Sequence, residues 1–194
     1  MFISEVLKKG WGITKENFFF FLSVIVVYFV LLIGGAWVLN KLRFIGQILF
    51  IILSFWLGVG LIIIALKKAK DENASLSDLF SGAKYLLSFI GASILYYLII
   101  FAGTILLIFP AVIWGIKYMF FPYLIVDKNM KAIEALKASS KITKGVRWDI
   151  LGFCIVLEIV NLLGILCLII GLFWTIPTVL IAYATTYLKL ANKI

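Results

Sequence analysis

Long apolar runs alternate with short charged patches along the whole chain, and this alternation predicts the elements. A helix needs about 20 apolar residues to cross the hydrocarbon core of a bilayer. Two runs have that length, and two are about twice as long, with natural breaks at Pro110 and near Gly171 and Pro177. The pattern therefore predicts an all-α, polytopic membrane helix bundle of six transmembrane helices, arranged as three hairpins in one integral membrane domain over residues 1–194. The predicted spans are approximately 18–39, 44–66, 85–109, 111–126, 150–170 and 173–190.

The composition agrees with a membrane protein and argues against catalysis. Apolar residues make up 64% of the chain and charged residues 14%, and the mean hydropathy is +1.18. A soluble domain of this size needs more charge to cover its surface. The sequence contains no histidine, which excludes His-dependent triads and most zinc sites. It also contains no P-loop, no Gly-rich dinucleotide turn and no Cys-x-x-Cys pair, so we expect no enzyme activity and no cofactor.

The basic residues predict how the chain is threaded through the membrane. Of the 18 Lys and Arg residues, 15 lie in the N-terminal segment, around residues 67–84 and 127–147, and at the C-terminus. The opposite turns hold only Lys41 and Arg43. By the positive-inside rule, we expect a multi-pass protein of the cell (plasma) membrane with N- and C-termini in the cytoplasm, and with the run from Phe18 retained as the first span. The positive charge faces the membrane surface and does not indicate nucleic-acid binding.

A short basic segment precedes the first, third and fifth spans and defines an internal repeat. Residues 7–15 and 136–144 share Leu, Lys, Ile, Thr and Lys at identical spacing, and residues 79–84 form a looser copy. Residues 75–78 fit a capping box, which favours a helix. We interpret each copy as a basic amphipathic lead-in helix that lies on the cytoplasmic leaflet, with its apolar face down and its lysines towards anionic headgroups. The alternative is that these lysines are only topology signals in solvated linkers. The predicted headgroup contacts are Lys8, Lys9, Lys15, Lys84, Lys137, Lys141 and Lys144.

Two charges are isolated inside apolar runs and form the candidate intramembrane polar site. At 1.5 Å per residue, Lys117 and Glu158 both lie about 14–15 Å deep from the cytoplasmic side. Asn161 is one helical turn beyond Glu158 and shares its face. An unpaired charge near the bilayer centre costs about 2.5–3.5 kcal/mol, so we expect Lys117 and Glu158 to approach each other. The two residues form either a site that handles a substrate, ion or proton, or a structural interhelical ion pair; a third reading is a snorkelling lysine and a neutral glutamic acid.

The C-terminal part of the chain resembles a known family. The motifs that carry the resemblance are Lys117-Tyr118, Phe121-Pro122-Tyr123-Leu124-Ile125-Val126-Asp127, Ala135-Leu136-Lys137-Ala138-Ser139, Thr143-Lys144-Gly145 with Trp148, Asn161-Leu162-Leu163-Gly164 and Thr175-Ile176-Pro177. They are similar to a poorly characterised group of prokaryotic multi-pass membrane proteins that includes the membrane domain of glycerophosphoryl diester phosphodiesterases and YciC-like proteins. In that family, phosphodiesterase chemistry belongs to a separate soluble domain rich in His and carboxylates. The resemblance therefore implies a membrane module without that activity.

Three functions are compatible with these features. The favoured one is a non-catalytic scaffold or accessory module that binds membrane lipids, through anionic headgroups, or a partner protein at the cytoplasmic face; a membrane-protein partner or a homo-oligomer is possible. The alternative is a small transporter or channel-like protein that uses Lys117, Glu158 and Asn161. A lipid-acting membrane enzyme is the least favoured, because few catalytic polar residues are available.

Overall fold

A computed structural model describes residues 2–106, 108–166 and 171–192. Over these ranges the protein is about 90% helical and contains no strand. The α-helices are α1 (Phe2–Glu16), α2 (Phe18–Leu39), α3 (Arg43–Ala69), α4 (Leu86–Leu106), α5 (Ile108–Tyr118), α6 (Phe121–Lys128), α7 (Ala132–Ile142), α8 (Arg147–Leu166) and α9 (Leu172–Ala191). Two 3₁₀ segments, Asn40–Leu42 and Leu76–Tyr85, complete the chain of elements. The predicted all-α class is confirmed.

Four helical stretches in the described ranges are long and apolar enough to cross a membrane. They are Phe18–Ala69, which comprises α2 and α3, Leu76–Leu106, Phe109–Lys128 and Arg147–Leu166. The predicted span 173–190 coincides with α9, which is not among the four. Its threonines and Pro177 lower its mean hydropathy below that of the four stretches. The last residues of the predicted span 150–170 lie outside the described residues.

Neighbouring helices pack as antiparallel pairs. Lys68, near the end of α3, donates a hydrogen bond of 2.7 Å to the Asn17 side chain just before α2, while the 3₁₀ turn joins the other ends of these helices. In the α8–α9 pair, the rings of Phe153 and Tyr183 are 5.5 Å apart, and Thr175 packs against Gly164 further along. The helices α4 and α5 also pack closely against each other.

The buried core lies at one end of these helix pairs. It is built from the C-terminal halves of α3 and α9, from α6, and from the predicted lead-in segments. Leu57, Ile125 and Ile181 are fully buried there. The rest of α2, α4 and α8 exposes large apolar side chains, including Leu87 and Leu166. Exposed apolar surface of this extent is typical of helices that have lipid as their solvent.

Each predicted lead-in is helical and packs against another helix of the bundle. The first is α1, the second is the 3₁₀ segment Leu76–Tyr85, and the third is α7. The predicted capping box is present, because the Ser75 backbone N–H donates a hydrogen bond of 2.8 Å to Asp78. The second segment packs on α3, the third on α5 and α6, and the first on α9. The second and third lead-ins thus contact the helix that precedes them, and α1 contacts the last helix of the chain.

Equivalent positions of the three lead-ins make these contacts. Gly10, Gly82 and Ser139 occupy the same place in the aligned copies. A Cβ atom on Gly10 would lie 2.7 Å from the Thr178 carbonyl oxygen of α9, and one on Gly82 would lie 3.0 Å from the Trp56 carbonyl oxygen of α3. The Ser139 hydroxyl bonds to the Lys117 carbonyl between α5 and α6. Each lead-in therefore approaches the backbone of its neighbour at the same register.

The first turns of α5 and α8 lie close together. In six aligned spans, these turns would lie at opposite membrane faces, about 30 Å apart. The rings of Phe109 and Trp148, which belong to these two turns, are instead 6.3 Å apart. The structure therefore departs from six aligned spans at α5 and α8.

Candidate functional site

A buried carboxylate joins three helices at the compact end of the bundle. Asp127, in the last turn of α6, has a side chain that is only 6% exposed. The Lys70 ammonium just after α3 lies 2.5 Å from one carboxylate oxygen, and the Tyr187 hydroxyl of α9 donates a hydrogen bond of 2.8 Å to the other. Lys128 lies 3.8 Å away. Because a buried charge must be compensated, these partners hold the ends of α3, α6 and α9 together.

A polar cavity of about 290 Å³ adjoins this carboxylate. Lys67 forms a 2.6 Å ion pair with Asp78 at its wall. The charged residues that line it are Lys67, Lys70, Lys84, Glu72, Asp78 and Asp127. The three cations and three anions balance, so the cavity has no net charge to select one kind of ion. Within the described ranges, His, Cys, Asp and Glu form no group of three or more that could hold a metal ion.

Helix α7 satisfies the backbone groups that are freed between α5 and α6. The helix breaks at residues 119 and 120, and Pro122 lies in the first turn of α6, where a proline is tolerated. The Ser139 hydroxyl donates a hydrogen bond of 3.1 Å to the Lys117 carbonyl and accepts one of 3.2 Å from the Phe120 backbone N–H. The hydroxyl of Thr143, the residue after α7, shares its proton between the Lys117 carbonyl at 3.1 Å and the Ser139 carbonyl at 2.9 Å. The hydroxyls of Ser139 and Thr143 thus cap the break.

The predicted intramembrane site takes a different form from the one expected. The structure contains no ion pair between Lys117 and Glu158 over the described residues. The Lys117 ammonium lies 4.8 Å from the centre of the Tyr118 ring, and Glu158 is exposed on α8. The two side chains therefore form no direct ion pair within 4.0 Å, and a looser approach of Lys117 to Glu158 stays a prediction. The side-chain amide oxygen (Oδ1) of Asn161 is buried and accepts no hydrogen bond from described residues. The role of all three residues stays a prediction.

Most of the predicted headgroup lysines are exposed, whereas part of the apolar surface of each lead-in is buried. The exposed ones are Lys8, Lys15, Lys84, Lys137, Lys141 and Lys144. Lys9 differs, since it donates hydrogen bonds of 2.9 Å to the Ala69 carbonyl and 3.3 Å to Asp71. Val6 and Leu79 are fully buried in the protein, and Leu136 is almost so. These three side chains therefore pack against the bundle and do not lie on the leaflet. Ile133, Trp11 and Phe80 are exposed, and their contact with the leaflet stays a prediction.

An ion pair also connects the two terminal elements of the described chain. Lys189 of α9 lies 2.7 Å from the Glu5 carboxylate of α1. The hydrogen bond and charge of Lys189 hold the pKa of Glu5 below its ordinary value. Sequence reasoning missed this contact and the Asp127 cluster. The hydroxyls of Ser139 and Thr143, four residues apart in the lead-in motif, were a local signal only for the cap at the α5–α6 break.

Three comparisons with known proteins found no match. No family model, no curated protein and no solved structure matches this chain. The class that the fold defines is an all-helical protein with four helical stretches capable of spanning a membrane.

Proposed function

We propose that the chain is a six-span module of the plasma membrane with both termini in the cytoplasm. In this arrangement α2–α3, α4 with α5–α6, and α8–α9 are three hairpins, each preceded by one copy of a repeated basic lead-in. The matched contacts of Gly10, Gly82 and Ser139 with neighbouring backbones support the repeat. The α1–α9 contact would then close the three units into a ring. The family kinship suggested by the C-terminal motifs remains part of this proposal.

The function we propose for this module is non-catalytic binding of anionic lipid headgroups at the cytoplasmic face. The observation that carries it is the two-sided character of the lead-ins: apolar side chains such as Leu136 are buried in the bundle, while Lys137, Lys141 and Lys144 are exposed. Each lysine near an anionic membrane surface contributes about 1 kcal/mol of attraction. Helix α7 and the turn that follows it present three such lysines, which would form a basic surface at the level of the headgroups.

A membrane-protein partner, or a second copy of this chain, is supported by Glu158. Its side chain is exposed on α8 beside the exposed Ile155 and Ile159. A charged side chain that faces hydrocarbon costs about 2.5–3.5 kcal/mol, and a partner with a matching donor would remove that cost. The transport hypothesis is weaker, because it loses the Lys117–Glu158 ion pair on which it relied.

The lipid proposal is tested in nanodiscs that contain phosphatidylglycerol and phosphatidylcholine. Energy transfer from the protein's tryptophans to a labelled lipid reports which lipid surrounds the chain. We expect labelled phosphatidylglycerol to be enriched over labelled phosphatidylcholine, and the enrichment to fall when salt is raised. Replacement of Lys137, Lys141 and Lys144 by Gln should remove most of the enrichment.

The matched control keeps the charge and changes the side chain. A variant with Arg at the same three positions should retain the enrichment, because the attraction depends on charge. Equal association of both lipids with the wild type would refute the proposal, as would unchanged enrichment in the Gln variant.

A further inference from the structure

An apolar groove of about 650 Å³ lies between α5 and α8 and contains one cation. Phe109, Val112 and Ile113 form the α5 wall, and Trp148 and Leu151 form the α8 wall. Arg147, the first residue of α8, also lines the groove. The volume falls within the range of about 300–1,000 Å³ that is usual for small-molecule sites.

Arg147 has no partner for its charge in the described part of the chain. Its Nε atom is buried and donates no hydrogen bond, and no carboxylate lies within 4.0 Å of its guanidinium. Most lysines near the core behave differently: Lys67 and Lys70 each have a carboxylate partner. A buried donor left without a hydrogen bond is destabilising, so this position favours an anionic ligand that the protein itself does not supply.

We infer that this groove binds one anionic glycerophospholipid. The planar guanidinium of Arg147 suits a phosphate group, to which it can donate two parallel hydrogen bonds. An acyl chain would lie against Phe109, Val112 and Leu151, and Trp148 would sit at the level of the headgroup, where tryptophan is enriched in membrane proteins.

The walls of the groove favour a lipid over a soluble anion. Phe109 and Trp148 are 63% and 68% exposed, and their rings are 6.3 Å apart at the edge of the groove. This edge belongs to two of the stretches that are apolar enough to span a membrane, so the groove would open towards lipid. The inference therefore rests on the proposed membrane location, and it adds a defined single site to the diffuse attraction of the exposed lysines.

The test is a titration of the detergent-purified protein with dioleoyl phosphatidylglycerol, followed by native mass spectrometry of the adducts. We expect one phosphatidylglycerol per chain to bind more tightly than dioleoyl phosphatidylcholine. Arg147→Gln should weaken that first binding event by about tenfold or more, as expected for the loss of a charged hydrogen bond. Arg147→Lys should weaken it less, because it keeps the charge but not the paired donors.

Two further variants separate the groove from other basic surfaces. Val112→Trp fills the groove while it leaves Arg147 in place, and it should weaken the first adduct as Arg147→Gln does. Arg43→Gln, which removes an exposed arginine elsewhere, should have no effect. Unchanged binding in both groove variants, provided that they unfold at the wild-type temperature, would overturn the site. So would equal affinity of the wild type for the two lipids.

The failures of the two proposals can be told apart. The Lys137, Lys141 and Lys144 variant should keep the tight adduct while it loses the salt-sensitive enrichment in nanodiscs. Enrichment without an Arg147-dependent adduct would refute the groove alone. An Arg147-dependent adduct without enrichment would refute the lysine surface alone.

Discussion

The hydroxyl of Tyr187 donates a 2.8 Å hydrogen bond to the buried carboxylate of Asp127, 60 residues earlier in the chain. The Tyr187 ring also stacks on Tyr123, with ring centres 5.5 Å apart. Since Lys70 pairs with the other oxygen of the same carboxylate, this contact helps to fix the ends of three helices relative to one another. The lead-in helices pack around this fixed end.

We predict that Tyr187→Phe destabilises the protein by about 1.5–3 kcal/mol, the usual value of a hydrogen bond to a charged group. Thermal unfolding in detergent micelles measures the change. Tyr97→Phe is the matched control, because Tyr97 is 63% exposed and should change stability by no more than about 0.5 kcal/mol. Equal effects of the two substitutions would show that the Asp127 contact does not stabilise the fold.

The break between α5 and α6 gives a second prediction. Ser139→Ala removes the acceptor of the Phe120 N–H and one donor to the Lys117 carbonyl, so it should cost about 1–3 kcal/mol. Ser140→Ala, at the next residue, removes a hydroxyl that makes neither contact and should be nearly neutral. Chemical unfolding of both variants checks the difference, and a neutral Ser139→Ala would contradict the proposed cap.

The close approach of α1 to α9 predicts opposite effects at two glycines of one helix. A Cβ on Gly10 would lie 2.7 Å from the Thr178 carbonyl oxygen, whereas one on Gly12 would meet no atom within 4 Å. Gly10→Ala should therefore destabilise by about 1–3 kcal/mol through overpacking. Gly12→Ala should stabilise by about 0.5–1 kcal/mol, because alanine favours helix. If both variants are equally stable, α1 does not pack on α9 in this register.

The Glu5–Lys189 ion pair predicts a dependence on pH. Because the folded protein holds the pKa of Glu5 below its ordinary value of 4.5, the contact stabilises the fold above that pH. The stabilisation should disappear as the pH falls through the lowered pKa. We expect wild type to exceed Glu5→Gln slightly in unfolding temperature at pH 7 and to match it at pH 3. A difference that grows on acidification would reverse the sign and exclude this pair as its cause.

The sequence predicted the helices better than the contacts between them. Uncharged runs of about 20 residues report membrane-spanning helices directly, because hydrocarbon excludes charge whatever the tertiary packing. The depth of Lys117 and Glu158 could be counted from the helical rise, but their rotation about the helix axes could not. Glu158 is exposed on α8, which the count did not reveal.

The Asp127 cluster could not be predicted from the sequence for a related reason. Lys70 and Tyr187 are 57 and 60 residues away from Asp127, and nothing local marks them as partners. The lead-ins were predicted as helices from their capping and spacing. Their amphipathic pattern does not reveal whether lipid or protein covers the apolar face, because both environments favour apolar side chains.

The membrane topology is tested most directly by cysteine accessibility in intact cells, with Cys154 and Cys167 replaced by Ala. Single cysteines at Asn40, Asn73 and Lys141 all occupy exposed positions. If the lead-ins are cytoplasmic, a membrane-impermeant maleimide should modify the Asn40 variant in intact cells, and the Asn73 and Lys141 variants only after permeabilisation. Modification of Asn73 or Lys141 from outside would contradict the cytoplasmic placement of the lead-ins, and protection of Asn40 would show that α2 and α3 do not form a hairpin across the membrane.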